Sequence, residues 1–455
     1  MRGFAIVALL FSLPHLAIAS DKPNFVIMMC DDQRFDAMSC AGNKVIKTPN
    51  MDRLAAEGMY FKNMFVTNSL CAPSRASLLT GLYSHANGVT DNFGKSVPAG
   101  IKMLPEYLHE AGYEVGFCGK SHIKGALRDR PWDYYFGYKD QGRYVDPIIA
   151  EGVDGQDKIY PGYMDDIVTE KAIAWMKKPR TKPFCLFLFF KAPHRQWVPA
   201  ARHKDLYADK AIPKPSLWDH SGQGKPPAFL MAANMFGQFP DTKDFEGMVR
   251  DYYRTITAAD DNIGKVYSAL TEMKQLDRTV LMHTSDNGFF LGEWQRFDKR
   301  FMHEPSIRVP LLVRYPALIK PGSHCEKMVI NVDLAPTILD LAGVPAVKGL
   351  HGRSFKPLLA GESIDWRKDW YYEYFEYPDT SHNVQKMRGI RTERYKLIHY
   401  YDPPPRFAEA FELYDLQNDP EEKVNLQGRP AMKSVKDQLL ARIKELRSEL
   451  GANQP

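Results

Sequence analysis

Cysteine is scarce in this chain: six residues in 455, at positions 30, 40, 71, 118, 185 and 325, with no Cys-x-x-Cys pair among them. That spacing excludes a disulfide-stapled scaffold and a thiolate zinc site. An excess of charge of one sign is missing too. Sixty Lys and Arg against 55 Asp and Glu leave a net +5, too small a bias for a nucleic-acid-binding protein. Past residue 20 no apolar run approaches the roughly 20 residues of a spanning helix, so no stable membrane insertion is expected. Low-complexity tracts are absent as well. What remains is the composition of a globular enzyme, 44% hydrophobic and 25% charged, in a chain too long for one ordinary core.

The N-terminal residues differ from the rest. Arg2 precedes the apolar run Phe4-Ala5-Ile6-Val7-Ala8-Leu9-Leu10-Phe11, Pro14 interrupts it, and Ala17-Ile18-Ala19 offers small residues at cleavage spacing. This reads as a signal peptide over residues 1–19, cleaved near Ala19/Ser20 by the secretion machinery, and places the protein in the periplasm or outside the cell. No Cys follows the small-residue site, so a lipid anchor there is not expected.

Downstream, apolar runs alternate with helical patterns. Phe25-Val26-Ile27-Met28-Met29, Phe184-Cys185-Leu186-Phe187-Leu188-Phe189-Phe190 and Thr279-Val280-Leu281-Met282-His283-Thr284 are continuous enough for strands buried on both faces. Thr48-Pro49 opens a helix that stops at Gly58. Another ends at Gly81 and puts Cys71 to Arg75 at its N-terminus. Further helices are predicted over residues 104–112, 251–276 and 332–341, with a short strand over Tyr113 to Phe117 and one more over Val309 to Val313. The pattern predicts an α/β fold, a large mostly parallel sheet sandwiched by helices, over residues 20–345. Residues 346–455 predict a smaller antiparallel sheet, with strands near 371–376, 386–391, 395–401 and 412–416, and one terminal helix. Segments 141–162 and 199–244 are expected as long surface loops that shape a cleft.

Polar residues follow the buried strands at equivalent places. Asp31-Asp32, Lys120-Ser121-His122, His194 and Asp286-Asn287 each come directly after one, and strand C-termini of an open parallel sheet converge on one edge, where ligands bind. Asp31, Asp32, Asp286 and Asn287 supply only oxygen, which suits Ca²⁺ or Mg²⁺ rather than zinc. Taken singly each pair is an ordinary turn or cap sequence. Cys71-Ala72-Pro73-Ser74-Arg75 adds a thiol, a helix N-terminus with free backbone N–H groups, and a guanidinium fork suited to sulfate or phosphate.

With Thr48-Pro49-Asn50-Met51-Asp52-Arg53-Leu54, Leu79-Thr80-Gly81, Ala192-Pro193-His194, Ser285-Asp286-Asn287-Gly288 and Lys299, these motifs stand in order from about residue 24 to 425. The set resembles the type I sulfatases of the alkaline-phosphatase-like superfamily. The resemblance implies that Cys71 is oxidised to formylglycine by a maturation enzyme. It implies one Ca²⁺ per chain, held by Asp31, Asp32, Asp286, Asn287 and the modified position 71. It also implies that Arg75, Lys120, His122, His194 and Lys299 surround the nucleophile and the sulfate. In that scheme one hydroxyl of the hydrated formylglycine attacks sulfur. His194, with Lys299, protonates the leaving alcohol, and His122 deprotonates the second hydroxyl to expel sulfate. Two departures stand out: Ser121 replaces an aromatic common in relatives, and Glu293-Trp294-Gln295 replaces Glu-His-Gly.

Met387-Arg388-Gly389-Ile390-Arg391-Thr392 and Glu412-Leu413-Tyr414-Asp415-Leu416 resemble carbohydrate-directed bacterial relatives of the N-acetylglucosamine-6-sulfatase kind. The substrate this implies is a sulfated sugar of a glycosaminoglycan, mucin or algal glycan. Arg143, Arg195, Trp197, His303 and Arg308 are the candidate sugar contacts. Two alternatives stay open: a phosphoester or phosphonate monoester hydrolase of the same superfamily, and a non-catalytic protein that binds sulfated glycans.

Overall fold

A computed structural model describes residues 22–125, 127–379, 381–402 and 408–452; the signal-peptide reading lies outside them. Ten strands form the main sheet: β1 (Asn24–Cys30), β2 (Met59–Phe61), β3 (Glu114–Lys120), β4 (Tyr134–Tyr138), β5 (Ile148–Glu151), β6 (Asp157–Ile159), β7 (Phe184–Phe189), β8 (Thr279–Ser285), β9 (Leu311–Arg314) and β10 (Ser323–Cys325). Their spatial order is β10-β2-β9-β8-β1-β7-β3-β4-β5-β6. The central run β8-β1-β7-β3-β4 is parallel.

The unbroken hydrophobicity of β1 has a simple cause. Phe25, Ile27 and Met29 enter one buried cluster, while Val26, Met28 and Cys30 enter another on the opposite face. With helices on both sides, alternate side chains have no wet face to turn toward. Helices α1 (Pro49–Glu57) and α3 (Phe245–Glu272) contribute to the second cluster, and α2 (Cys71–Thr80) and α4 (Leu334–Leu341) to the first.

A four-stranded antiparallel sheet follows, made of Asp369–Tyr374, Met387–Thr392, Tyr395–Tyr400 and Ala410–Asp415. The terminal helix Lys433–Glu449 sends Leu439, Ile443 and Leu446 into the first cluster. Trp370 stacks on Phe65 at 5.3 Å between ring centroids, and Trp370, Tyr372 and Ile390 enter the same buried cluster as Phe25 and Ile27 of β1, so the two sheets share a core. No helix is long and apolar enough to cross a membrane among the described residues.

Three sequence expectations are corrected. Segment 141–162 is not only loop: Ile148–Glu151 and Asp157–Ile159 pair as a hairpin and extend the sheet. The strand expected around Val309 to Val313 is broken at Pro310, which has no N–H to give to a ladder; its second half, β9, runs antiparallel to β8. Thr48 sits at the N-cap of α1, but its hydroxyl donates to Asp52 at 3.3 Å instead of capping the helix. All six cysteines are unpaired.

Gly119 positions the next residue, Lys120. Its φ of +110° is open to glycine, and a Cβ there would meet the Phe189 carbonyl oxygen at 1.8 Å. Backbone cannot yield as a side-chain tip can. Gly119→Ala is therefore expected to destabilise the fold by roughly 3 kcal/mol or more, read as a fall in the urea midpoint. A midpoint within experimental error of the parent would sink this account of the strand end.

Candidate active site

Strand register brings the polar residues together. Cys30 lies opposite Ser285, Met29 opposite Phe189, and Gly119 opposite Phe189. The residues that follow these strands therefore leave the sheet side by side at one edge. Asp31, Asp32, Asp286, Asn287 and Lys120 are all fully or almost fully buried there.

Their contacts form one network. Asp32 N–H donates to Asp286 Oδ1 at 3.0 Å, and Asn287 Nδ2 donates to Asp32 Oδ1 at 2.7 Å. Lys120 donates to Asp31 Oδ2 and Lys299 to Asp32 Oδ1. Arg75, with no exposed surface, donates from Nε to Asp286 Oδ2 at 2.9 Å and from Nη1 to the Lys120 carbonyl at 2.7 Å. Three carboxylates thus face three cations out of water, an arrangement that holds only because each ion has a partner.

The donor set fits a hard cation. One carboxylate oxygen from each of Asp31, Asp32 and Asp286 lies within 4.8 Å of the others. Asp32 Oδ2 and Asn287 Oδ1 are buried with no hydrogen-bond partner, the condition a buried acceptor avoids unless something else satisfies it. Burial, and after it the Asp31 carboxylate, pushes Asp286 up to about 7. A cation among these oxygens offsets that repulsion.

Cys71 is the first residue of α2, with Leu70 at the N-cap. Its Sγ lies 3.5 Å from Asp31 Oδ1 and 3.3 Å from Lys299 Nζ. Burial pushes the thiol well up, against the opposing pull of Lys299 and Lys120. An ordinary thiol here stays protonated and is a poor nucleophile. The helix end itself contributes less than expected. Ala72 N–H donates to Asn92 Oδ1 at 3.0 Å, Pro73 has no N–H, and Ser74 N–H is used by the Leu70 carbonyl.

His194 Nε2 stands 3.8 Å from Asp32 Oδ2, and its Nδ1 meets the Arg195 carbonyl. Tyr144 OH fixes the same loop by donating to the His194 carbonyl at 2.8 Å. Burial first, then Lys120, holds both His194 and His122 well below the ordinary imidazole range, so both rings are neutral near pH 7. Gln141 carried no sequence signal. Its Oε1 accepts from Lys120 at 2.6 Å, and its Nε2 is 3.4 Å from His122 Nε2.

A cleft of about 440 Å³ opens over His194 and Lys299, lined also by Arg143, Lys191, Arg195, Arg300 and His382. Of the five proposed sugar contacts, Arg143 and Arg195 line it, Arg195 while paired with Asp241 at 2.6 Å. The others do not. Trp197 is buried edge-on against Phe289. His303 is sealed between Lys225 (2.8 Å) and Glu412 (3.3 Å). Arg308 binds the Lys62 carbonyl over the Phe35 ring. Trp294, the departure noted in the sequence, packs on Phe229, with the Lys225 ammonium 4.1 Å from its centroid, instead of facing the cleft. Arg300, tied to Asp298 and Glu376, and His382, held by Asp379 at 2.8 Å, were missed. They stand in no recognisable motif; the only available hint was that Asp298 and Arg300 flank Lys299.

A large, mostly parallel sheet with an acidic, cation-neutralised edge beside a helix-borne Cys-x-Pro-x-Arg defines an ester hydrolase of the alkaline-phosphatase-like kind. Two family models match: Sulfatase over residues 23–344, and N-sulphoglucosamine sulphohydrolase, C-terminal, over residues 292–449. The chain belongs to the sulfatase family and is a sulfuric ester hydrolase. It is 36% identical to an N-acetylglucosamine-6-O-sulfatase of Bacteroides thetaiotaomicron, across 95% of this chain and 88% of that one. A solved structure of a protein in complex with its substrate D-glucosamine-2-N,6-O-disulfate superposes with a TM-score of 0.88. It shares 35% identity and covers 95% of this chain and 99% of its own. A phosphonate monoester hydrolase of Agrobacterium radiobacter has the same fold, at a TM-score of 0.79 and 21% identity, covering 94% and 96% of the two chains.

Proposed function

We propose that this protein removes sulfate from a sulfated carbohydrate through a formylglycine formed at Cys71. The carrying observation is the convergence of Cys71, 3.3 Å from Lys299 and 3.5 Å from Asp31, with the group of three carboxylates. The substrate is a sulfated amino sugar or a related unit of a glycosaminoglycan, mucin or algal glycan. The likeness to an N-acetylglucosamine-6-O-sulfatase supports this.

The modification supplies a geminal diol at position 71, one hydroxyl to attack sulfur and a second whose deprotonation releases sulfate. Asp31, Asp32, Asp286 and Asn287 would hold Ca²⁺ beside it, which supplies positive charge that favours the ionised nucleophile. Arg75 fixes Asp286, while Lys120 and Lys299 offset negative charge on the sulfate oxygens. His122, neutral before substrate enters, is the base for the second hydroxyl. His194 donates the proton to the departing alcohol. Sulfate bound against its ring brings negative charge and raises its proton affinity. Residues 20–345 form the catalytic domain in this reading and 346–455 a small subdomain. Export with loss of residues 1–19, and a maturation enzyme that acts on Cys71, complete the scheme.

The role of His194 has a specific consequence. A sugar alkoxide needs a proton to leave, whereas a nitrophenolate does not. His194→Ala is expected to lower kcat on a sugar sulfate about 10²–10⁴-fold and on 4-nitrophenyl sulfate far less. Equal losses on both substrates would remove His194 from that role.

The test of the whole reading is a panel of defined sulfated sugars beside aryl sulfate, phosphate and phosphonate. It is run with mass spectrometry of the Cys71 peptide from active material. Mass 18 Da below cysteine is expected at position 71, the difference between –CH₂SH and –CHO. Unmodified cysteine in fully active protein would refute the mechanism.

A further inference from the structure

A second cavity of about 520 Å³ adjoins the cleft. Asn92 lines both, and His122 forms part of the wall on the second side while Gln141, its neighbour at 3.4 Å, lines the first. The proposed nucleophile is close to this wall, because Asn92 accepts from the N–H of Ala72.

The cavity has the chemistry of a sugar subsite. Phe93 is 66% exposed and forms one side. An aromatic ring left in water at the edge of a cavity costs free energy unless an apolar face covers it, and the C–H face of a pyranose is such a surface. Lys124 lies along Gly94, and Lys139 comes from the turn after β4. Neither makes an ion pair with any described residue. Arg128 also lines the cavity but is paired with Asp157 at 2.9 Å. Asp140 is the one acidic side chain among the lining residues. An aromatic platform with two unpaired ammonium groups suits a ring that carries an anion.

We infer that this cavity binds the sugar adjoining the sulfated one, and that it selects a neighbour bearing a carboxylate or sulfate. This rests on the carbohydrate reading above. It makes the enzyme one for acidic glycans rather than for isolated monosaccharides.

The experiment measures kcat/KM of the mature enzyme on four probes: a sulfated glucosamine alone, and the same sugar linked to a neutral hexose, to a uronic acid or to a second sulfated sugar. The variants are Phe93→Ala and the pair Lys124→Ala with Lys139→Ala, all at exposed positions. Wild type should prefer the anionic disaccharides about tenfold over the neutral one. Phe93→Ala should lose about tenfold on every disaccharide and nothing on the monosaccharide. The double Lys variant should lose only the preference for an anionic neighbour, and the two anionic probes separate a carboxylate site from a sulfate site. Wild-type ratios in both variants would overturn the inference while leaving the carbohydrate reading intact. Turnover of aryl sulfate with no turnover of any sugar probe would overturn both.

Discussion

Cys71→Ala, expressed where the maturation enzyme is present, is expected to lower kcat by about 10⁴-fold or more while leaving the protein folded. Alanine cannot be converted to an aldehyde, so no geminal diol can form at position 71. Loss of a group that opens the covalent step costs far more than loss of a binding contact. The fold has less to lose. The thiol is fully buried, and removing one sulfur leaves a small void worth about 1–2 kcal/mol. Lys299 keeps its partner Asp32, so no charge is stranded. The two effects are read separately, by turnover of a sulfated sugar and by the urea midpoint. A variant that retains a tenth of the parental rate would show that position 71 is not the nucleophile.

If a cation is held by these oxygens, as proposed above, its removal should act on both quantities at once. Exhaustive dialysis against a calcium chelator is expected to abolish turnover and lower the melting temperature by several degrees. Readdition of Ca²⁺ should restore both. A ligand at 100 times its dissociation constant stabilises the folded state by about 2.7 kcal/mol. Here its loss also leaves Asp31, Asp32 and Asp286 with only Arg75, Lys120 and Lys299 to balance them. Asp286→Asn should blunt the response of the melting temperature to Ca²⁺, because one of three negative donors has gone. An enzyme whose rate and melting temperature ignore prolonged chelation would rule out a cation at these oxygens.

The strands and the groups that gather at their ends were legible in the sequence for one reason. A strand covered on both faces must be apolar throughout, so the first charged residue after it marks the sheet edge, as at Cys30-Asp31 and Ser285-Asp286. The Cys71 helix was legible from its glycine stop, Gly81, which is left-handed at φ +69°. The cleft wall was not. Gln141, Arg300 and His382 arrive from loops whose course depends on contacts distant in the chain, and a lone Gln or His carries no period or spacing. His303 and Arg308 illustrate the opposite error. A charged residue near a motif looks available, yet each is committed to partners more than 70 positions away, Lys225 and Glu412 for the first and Lys62 for the second. The hairpin of Ile148–Glu151 and Asp157–Ile159 escaped notice because its second strand is wholly exposed and shows no alternation.

The burial of Cys71 reaches beyond catalysis. A side chain with no exposed surface at the first turn of a packed helix is closed to any second protein once the chain has folded. On the mechanism proposed above, competence is therefore decided once for each molecule, during synthesis, and cannot be conferred afterwards. A preparation would be a mixture of two fixed populations that share charge, shape and affinity for the glycan. Its specific activity would report the supply of maturation capacity in the producing cell rather than any property of the folded enzyme. The inert fraction would still occupy substrate, so overproduction without matching maturation would slow desulfation of a scarce glycan.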